Sequence, residues 1–440
     1  MNRALLAALM SAACVAPAAA QDHLTDDLTG RYTVSLVWAE GTIYGQLELE
    51  QKGDKLTGKY HGDALEGTRH GEVIDFTSRD KDGDGDNVHL VLKNHALTGT
   101  DTPIDGSGHI RQQPALAVTA SLVTPLTSSA GATREFVPTQ FHHAFSAALK
   151  PAMTIASGDT VHTTTVDAGG TDASGAVRTF GGNPETGPFF VQGAVPGDTL
   201  AVHIVRLRLN RDWAISDDYL DGRSVDPRLA VTQKDTGKTI YWHLDQASGT
   251  AWPEKPDAHL AKYRVPLHPM LGCVATAPQP LYPPPNTGDS GDFGGNMDFN
   301  EIAEGATVYL PVRVPGALLF VGDGHAAMGD GELNGNGLET SMDVTFRVEV
   351  ISHRQTPSPR VENDGRIMAL GYAGSVDDSL KVATSNMANW LSTDYKLNPS
   401  EVAQILGTAS QIRITEVADR NAGVAIIIDK DRLKTLAADR

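Results

Sequence analysis

The sequence predicts a mainly β protein: a β-sandwich or barrel-like larger domain closing with a helical segment, preceded by a small all-β module. Three observations predict it. Apolar and polar residues alternate along most of the chain, the period of a half-buried strand. Turn formers are abundant, with 44 Gly and 24 Pro among 440 residues, which suits many short strands. The three-and-four spacing of a helix is sustained only near the carboxyl end.

Residues 1–20 read as a secretory signal peptide. Arg3 supplies the positive start, Ala4 to Ala13 the apolar stretch, and Ala18-Ala19-Ala20 the small-residue cleavage site before Gln21. The expected destination is the periplasm or the exterior. Cleavage would remove Cys14 and leave Cys273 alone, so no intramolecular disulfide is expected.

The β module is expected over residues 24–124. "RYTVSLVWAEGTIYGQLELEQKGDKLTGKY" alternates between Gly-centred turns, and "GEVIDFTS", "NVHLVLKN" and "GSGHIRQQ" continue the pattern. A meander closing into a barrel or sandwich fits it. Between two of these strands, Asp80, Asp82, Asp84, Gly85 and Asp86 match the first half of a calcium-binding EF-hand loop. Val91 stands where that loop needs a bidentate Glu, so an acidic hairpin turn is the preferred reading. "TPLTSSAGATRE" then breaks the periodicity, and residues 125–135 read as a linker.

Residues 136–440 form the larger domain. "TLAVHIVRLRL", "KTIYWHL", "TVYLPVRV", "ALLFVGD" and "MDVTFRVEVIS" read as strands, separated by long Pro/Gly-rich loops of the kind that carry function. In "SVDDSLKVATSNMANWLSTDYK", Leu380, Ala383, Met387, Trp390 and Leu391 share one helical face, with Ser375 or Asp377 placed to cap it. "NPSEVAQILGTAS" follows as a second helix, with Pro399 in its first turn, and "GVAIIID" as a closing strand.

The formal charge of −18 argues against a nucleic-acid partner. No segment is long and apolar enough to span a membrane.

Four polar clusters in the larger domain could carry chemistry, each beside a strand or a Gly/Pro turn: Asp167 in "TTTVDAGG", His268 in "PLHPMLGCVATAP", Asn296 and Asp298 in "FGGNMDFNE", and the stretch "GDGHAAMGDGELNGNGLE". The last crowds Asp323, His325, Asp330, Glu332 and Glu339 into eighteen residues with no Lys or Arg. Like charges so close raise one another's pKa, and a bound divalent metal resolves the repulsion most simply. Glycines there allow positive φ and close backbone approach to a ligand. There is no G-x-S-x-G elbow, and the apolar setting of Cys273 reads as a core thiol.

In order along the chain, "GPFFVQGAVPGDTLAVHI", "HPMLGCVATAP", "GGNMD" and "LPVRVPGALLFVGDGHAAMGDGELNGNGLE" resemble the motifs of the acetamidase/formamidase amidases. The resemblance runs from about Pro138 to the carboxyl-terminal strand. It implies hydrolysis of short amides such as formamide or acetamide to carboxylate and ammonia. It also implies a homo-oligomer and a divalent metal, zinc first and calcium second. The matching positions are Asp167, His268, Asn296, Asp298, His325, Asp330, Glu332 and Glu339. Met270, Met328 and Asn334 depart from the motif at positions that bear on substrate choice, and the signal peptide and β module are additions.

On this reading Asp298 and His325 are ligands, with Asp167 or His268 completing the set and Asp330 a further ligand candidate. Glu332, or after it Glu339, moves the proton. Asn296 holds the oxyanion. Two rivals stand beside it: a non-catalytic periplasmic binding protein stapled by metal, and a hydrolase of a larger amide, lactam or ester.

Overall fold

In the computed structural model the described residues are 27–38, 41–93, 96–111, 114–123, 131–233, 237–280 and 283–436. The signal-peptide reading falls outside them. The fold is mainly β. Eight antiparallel strands come first: β1 (Gly30–Trp38), β2 (Gly41–Lys52), β3 (Lys55–Tyr60), β4 (Asp63–His70), β5 (Val73–Arg79), β6 (Gly85–Lys93), β7 (Ala96–Ile104) and β8 (Leu116–Leu122). They pair in chain order, and β8 returns to β1 through Val34↔Ala120, closing a barrel without free edges. The alternation in the sequence has its cause here. Tyr32, Val34, Leu47, Leu49, Ile74, Leu90, Leu97 and Val118 all face a filled interior, and their polar neighbours face out.

Asp80, Asp82 and Asp84 of the acidic stretch lie in the turn between β5 and β6, and Asp86 is on β6. Asp82 N–H donates to Asp80 Oδ1 at 2.8 Å, and Arg111 pairs with Asp84. Residues 124–130 are outside the described set, whereas Thr133–Glu135, read as the end of the linker, pairs in parallel with Thr160–Thr164 and so belongs to the second unit.

That unit is a sandwich of two sheets, eleven and nine strands wide. Inner faces meet in one large core, where Val202, Ile204 and Phe346 of one sheet pack against Leu271, Leu319 and Val321 of the other. Burying each such side chain contributes roughly 1.5–3 kcal/mol.

The helices Val376–Asp394 and Pro399–Ala409 cover the outer face of the nine-stranded sheet. Ala383, Met387, Trp390 and Leu391 lie against Ile367, Ala369, Val424 and Ile426. Ser375 accepts the Asp378 N–H at the start of the first helix, and Asn398 with Glu401 closes a reciprocal cap on the second. The strand Ala422–Asp429 pairs with Arg366–Ala373. No helix among the described residues is long and apolar enough to cross a membrane.

Candidate metal and catalytic site

Two adjacent strands of the eleven-stranded sheet, Met270–Thr276 and Leu319–His325, build the floor of the site, and both are buried at every residue. Antiparallel pairing sets Met270 opposite His325 and Cys273 opposite Gly322. On one side, Gly294–Asn296 pairs with Met270–Thr276 and leads into Asp298, whose N–H reaches the Gly272 carbonyl. On the other, Glu339 lies directly across from His325. Three segments thus place acids and one imidazole over a single patch of sheet, beside the acid-free strand Met270–Thr276.

Glycines make the room. A Cβ on Gly272 would collide with Asp323 Oδ2 and lie 2.5 Å from Asp298 Oδ1, and one on Gly322 would collide with the Glu185 carboxylate. Asp298, Asp323 and Glu332 have φ of 40°, 52° and 47°, so three of the nine described non-glycine residues in the left-handed region are acids of this cluster. Such backbone costs of order 1–3 kcal/mol per residue and concentrates where a ligand constrains the chain.

His325 is the hub. Its ring is fully buried, with Nδ1 3.0 Å from the Asn336 carbonyl and Nε2 3.3 Å from Asp298 Oδ1 and 3.4 Å from Asp323 Oδ2. A carbonyl only accepts, so Nδ1 carries the hydrogen and Nε2 faces the carboxylates. Ligand atoms of Asp298, Asp323 and His325 lie within 4.8 Å of one another, as do those of His325, Glu332 and Glu339, and those of Asp298, Glu332 and Glu416.

The electrostatics follow from dry confinement of like charges. Burial pushes Asp298 up to about 6, with Asp323 adding to the shift and His325 opposing it. Burial raises Glu332 and Glu339 well above the usual carboxylate range, and the Glu416 carboxyl to about 10. Burial alone would lower His325, but Glu339, Asp323 and Asp298 outweigh it and raise the imidazole well above its ordinary value. Asp298 Oδ1, Asp323 Oδ1, Glu339 Oε2 and Glu416 Oε1 are buried without a hydrogen-bond partner among the described residues. Buried carboxylate oxygens without donors are costly. Gathered with the His325 imidazole into these overlapping groups, such carboxylates fit a divalent cation.

The other residues singled out in the sequence have different surroundings. Both Asn296 amide hydrogens are engaged, on Asp298 Oδ2 at 2.6 Å and Asp419 Oδ2 at 2.5 Å, while its oxygen accepts from Asn183. No donor is left for an oxyanion, and the side chain orients Asp298 instead. Asp167 spends both oxygens, one on the Thr171 N–H and one in a buried pair with Arg211 Nη2 at 2.7 Å. His268 is exposed and meets the Asn300 carbonyl, and Asp330 is paired with Arg413. None of these last three joins the buried cluster.

Glu185, Glu416 and Asp419 do lie in or against the cluster, and the sequence reading passes over them. Burial raises Asp419 to about 7. Glu185 is fully buried beside Cys273, and burial pushes both well above their ordinary values. Their one signal in the sequence is an acid at the mouth of an apolar strand: "NPETGPFF" for Glu185, "IRITEVA" for Glu416.

Residues 286–368 match the model of the Acetamidase/Formamidase family. That span holds Asn296, Asp298, Asp323, His325, Glu332 and Glu339, but not Glu185 or Glu416. Over 198 residues, 34% of this chain and 46% of the relative, the chain is 28% identical to the formamidase of Methylophilus methylotrophus. It spans less than half the length of the curated relatives it matches. Solved structures agree more extensively. The predicted acetamidase/formamidase of the thermophile Thermoanaerobacter tengcongensis aligns with a TM-score of 0.61 at 28% identity, covering 69% of this chain and 98% of that one. The acetamidase of Bacillus halodurans aligns with 0.59 at 29% identity, covering 69% and 100%.

Proposed function

Because the chain belongs to the acetamidase/formamidase family, we propose that it hydrolyses the C–N bond of short linear amides of the formamide and acetamide type, releasing a carboxylate and ammonia. The observation that carries this reading is the buried approach of Asp298 Oδ1, which has no hydrogen-bond partner among the described residues, and of Asp323 Oδ2 to His325 Nε2, within the segment that matches the family.

In this reading Asp298, Asp323 and His325 hold a divalent metal. Zinc suits one imidazole and two carboxylates, with calcium the second choice. When bound, such an ion polarises a carbonyl oxygen and lowers the pKa of water. The chain's own residues do the rest. The Asn336 carbonyl fixes the His325 ring so that Nε2 presents its lone pair. Asn296 aims Asp298. Glu332, almost wholly buried and 4.8 Å or less from ligand atoms of both His325 and Asp298, takes a proton from the attacking water. It returns that proton to the departing nitrogen, which leaves poorly unless protonated. Glu339 is the second choice for that role. Arg211 donates to the Glu339 carbonyl and to Thr340 Oγ1 from behind, fixing the segment that carries Glu339. Export, on the strength of residues 1–20, and a homo-oligomeric state belong to the same proposal.

The test is ammonia release from formamide, acetamide and propionamide by purified protein, after chelator treatment and after zinc is restored. Release that disappears with the chelator and returns with zinc supports the proposal. Folded, zinc-loaded protein that releases ammonia from none of the three ends it.

A further inference from the structure

Where the last turns of the helix Val376–Asp394 lie on the nine-stranded sheet there is a cavity of about 200 Å³ that shares no residue with the carboxylate cluster. Its wall includes a buried guanidinium. Arg360 opens the strand Arg360–Glu362, pairs with Tyr309 of the next strand and is 6% exposed.

Neutral groups hold this arginine. Nε donates to Asn386 Oδ1 at 2.9 Å, and Nη2 to Asn389 Oδ1 at 2.7 Å and to the Asn386 carbonyl at 3.4 Å. The guanidinium carbon lies 4.9 Å from the centre of the Trp390 ring. Asn386 is fixed in turn, because its amide nitrogen donates to the carbonyls of Ser358, Pro359 and Leu370. Arg360 Nη1 makes no hydrogen bond among the described residues, and no carboxylate there pairs with the side chain. The two acids of the wall are engaged elsewhere. Glu362 meets Lys430 at 2.6 Å and accepts from the Tyr309 hydroxyl, and Asp394 meets Arg354 and accepts from Trp390 Nε1.

A buried arginine is ordinarily paired. Arg211, buried to the same 6%, has Asp167. For Arg360, burial pulls the guanidinium down to about 10, and the charged neighbour that adds to the shift is another cation, Arg354. This occurs in a chain with 54 acids against 36 Lys and Arg. A counter-charge is missing where the protein has acids to spare.

Further donors border the gap. Asn389 spends its oxygen on Arg360, and its amide nitrogen has no acceptor among the described residues. Arg354 pairs with Asp394 through Nη2 and leaves Nε and Nη1. The helix carbonyls at this end are covered, Leu391 by the Tyr395 N–H and Asn389 by the Thr393 hydroxyl. With Nε and Nη2 engaged, Arg360 cannot grip a planar carboxylate through two parallel hydrogen bonds. It offers one nitrogen, and Asn389 and Arg354 add theirs from the helix and from the segment after the strand Met342–Ile351. Single donors from three elements suit a tetrahedral oxyanion. The volume is below the roughly 300 Å³ at which pockets for drug-sized ligands begin, so the ligand has few heavy atoms.

We propose that this cavity binds a small tetrahedral oxyanion of the phosphate class, held by Arg360 Nη1, Asn389 Nδ2 and Arg354. The ion supplies the counter-charge that Arg360 lacks and ties the helix to the sheet it covers.

The probe is inorganic phosphate, titrated calorimetrically into the full-length, zinc-loaded protein at constant ionic strength, with acetate as the planar control. Phosphate should bind saturably, and acetate at least tenfold more weakly. Asn389→Asp sets a carboxylate beside Arg360 and removes the free amide, and Arg360→Met removes the cation. Each should weaken phosphate binding at least tenfold while zinc content stays unchanged. If Arg360→Met fails to fold, Asn389→Asp decides alone. Absence of saturable phosphate binding, phosphate binding undiminished in Asn389→Asp, as for an ion held at the zinc, or acetate binding as tight as phosphate would each overturn the proposal.

Discussion

His325 Nε2 lies 3.3 Å from Asp298 Oδ1, with both side chains buried and that oxygen lacking any hydrogen-bond partner among the described residues. An imidazole whose other nitrogen is tied to a carbonyl, facing an unpartnered carboxylate oxygen, is a half-built ligand set. Asp298→Asn keeps the shape and removes the charge. The zinc content of the dialysed protein should fall at least tenfold while the circular dichroism spectrum stays unchanged. Full zinc retention would remove Asp298 from the ligand set.

Glu332→Gln separates proton transfer from metal holding. Removing a general base of this kind slows turnover by about 10²–10⁴. The variant should lose formamide hydrolysis by that factor and keep its zinc, measured on the same sample by ammonia assay and elemental analysis. Zinc lost together with turnover would make Glu332 a ligand instead.

Gly272→Ala tests the room beneath the carboxylates. The new methyl would meet Asp298 Oδ1 and Asp323 Oδ2, and overpacking of this sort costs about 1–3 kcal/mol. A lower urea midpoint is expected together with lost zinc. An unchanged midpoint with normal zinc would mean that the floor yields more readily than these contacts imply.

The buried pair Arg211–Asp167, each side chain 1% exposed, acts through the backbone it holds. Arg211→Met leaves Asp167 buried and unpaired, a loss of about 3–5 kcal/mol. Adding Asp167→Leu should restore much of that stability, because the uncompensated charge disappears. If the double variant unfolds as early as the single one, the pair itself is not the source of the loss.

The barrel offers a pH dependence independent of the site. Asp101 is buried on β7 and accepts from the Tyr60 hydroxyl at 2.7 Å. Burial first, with Asp86 adding, pushes its carboxyl up to about 7, against the opposing pull of that hydrogen bond. A raised folded value means the proton is held more tightly in the folded state. The stabilising contribution is therefore fully present below about pH 4, near the unfolded value, and is lost as pH rises to about 7. Asp101→Asn cannot ionise, so its urea midpoint should gain on the wild type's across that window and hold a constant lead above it. Parallel pH profiles would show that Asp101 does not titrate there.

Much of this was legible in the chain, for reasons particular residues show. Strand alternation in β1 and β2 follows from one filled face, and the helical face of Ala383, Met387 and Trp390 from packing on a sheet. Asp298, His325, Glu332 and Glu339 stood out because glycines surround them, and those glycines exist to give backbone and carboxylates room. Glu416 has no such neighbourhood, and Glu185, although Gly181, Gly182 and Gly187 flank it, lies far along the chain from the other acids. They reach the cluster through sheet pairing and through the contact of Gly331 with Glu416, a long-range relation that local pattern does not encode. His268 and Asp330 were misleading in the opposite way, since sequence proximity to the cluster says nothing of the Asn300 carbonyl and Arg413 that engage them.

The most direct test of the central claim compares formamide turnover by the zinc-loaded wild type with that of Asp298→Asn, following ammonia and formate together. The account predicts equal amounts of the two products from the wild type and none above background from the folded variant. A wild type that produces neither, or a variant that keeps full turnover, would contradict it.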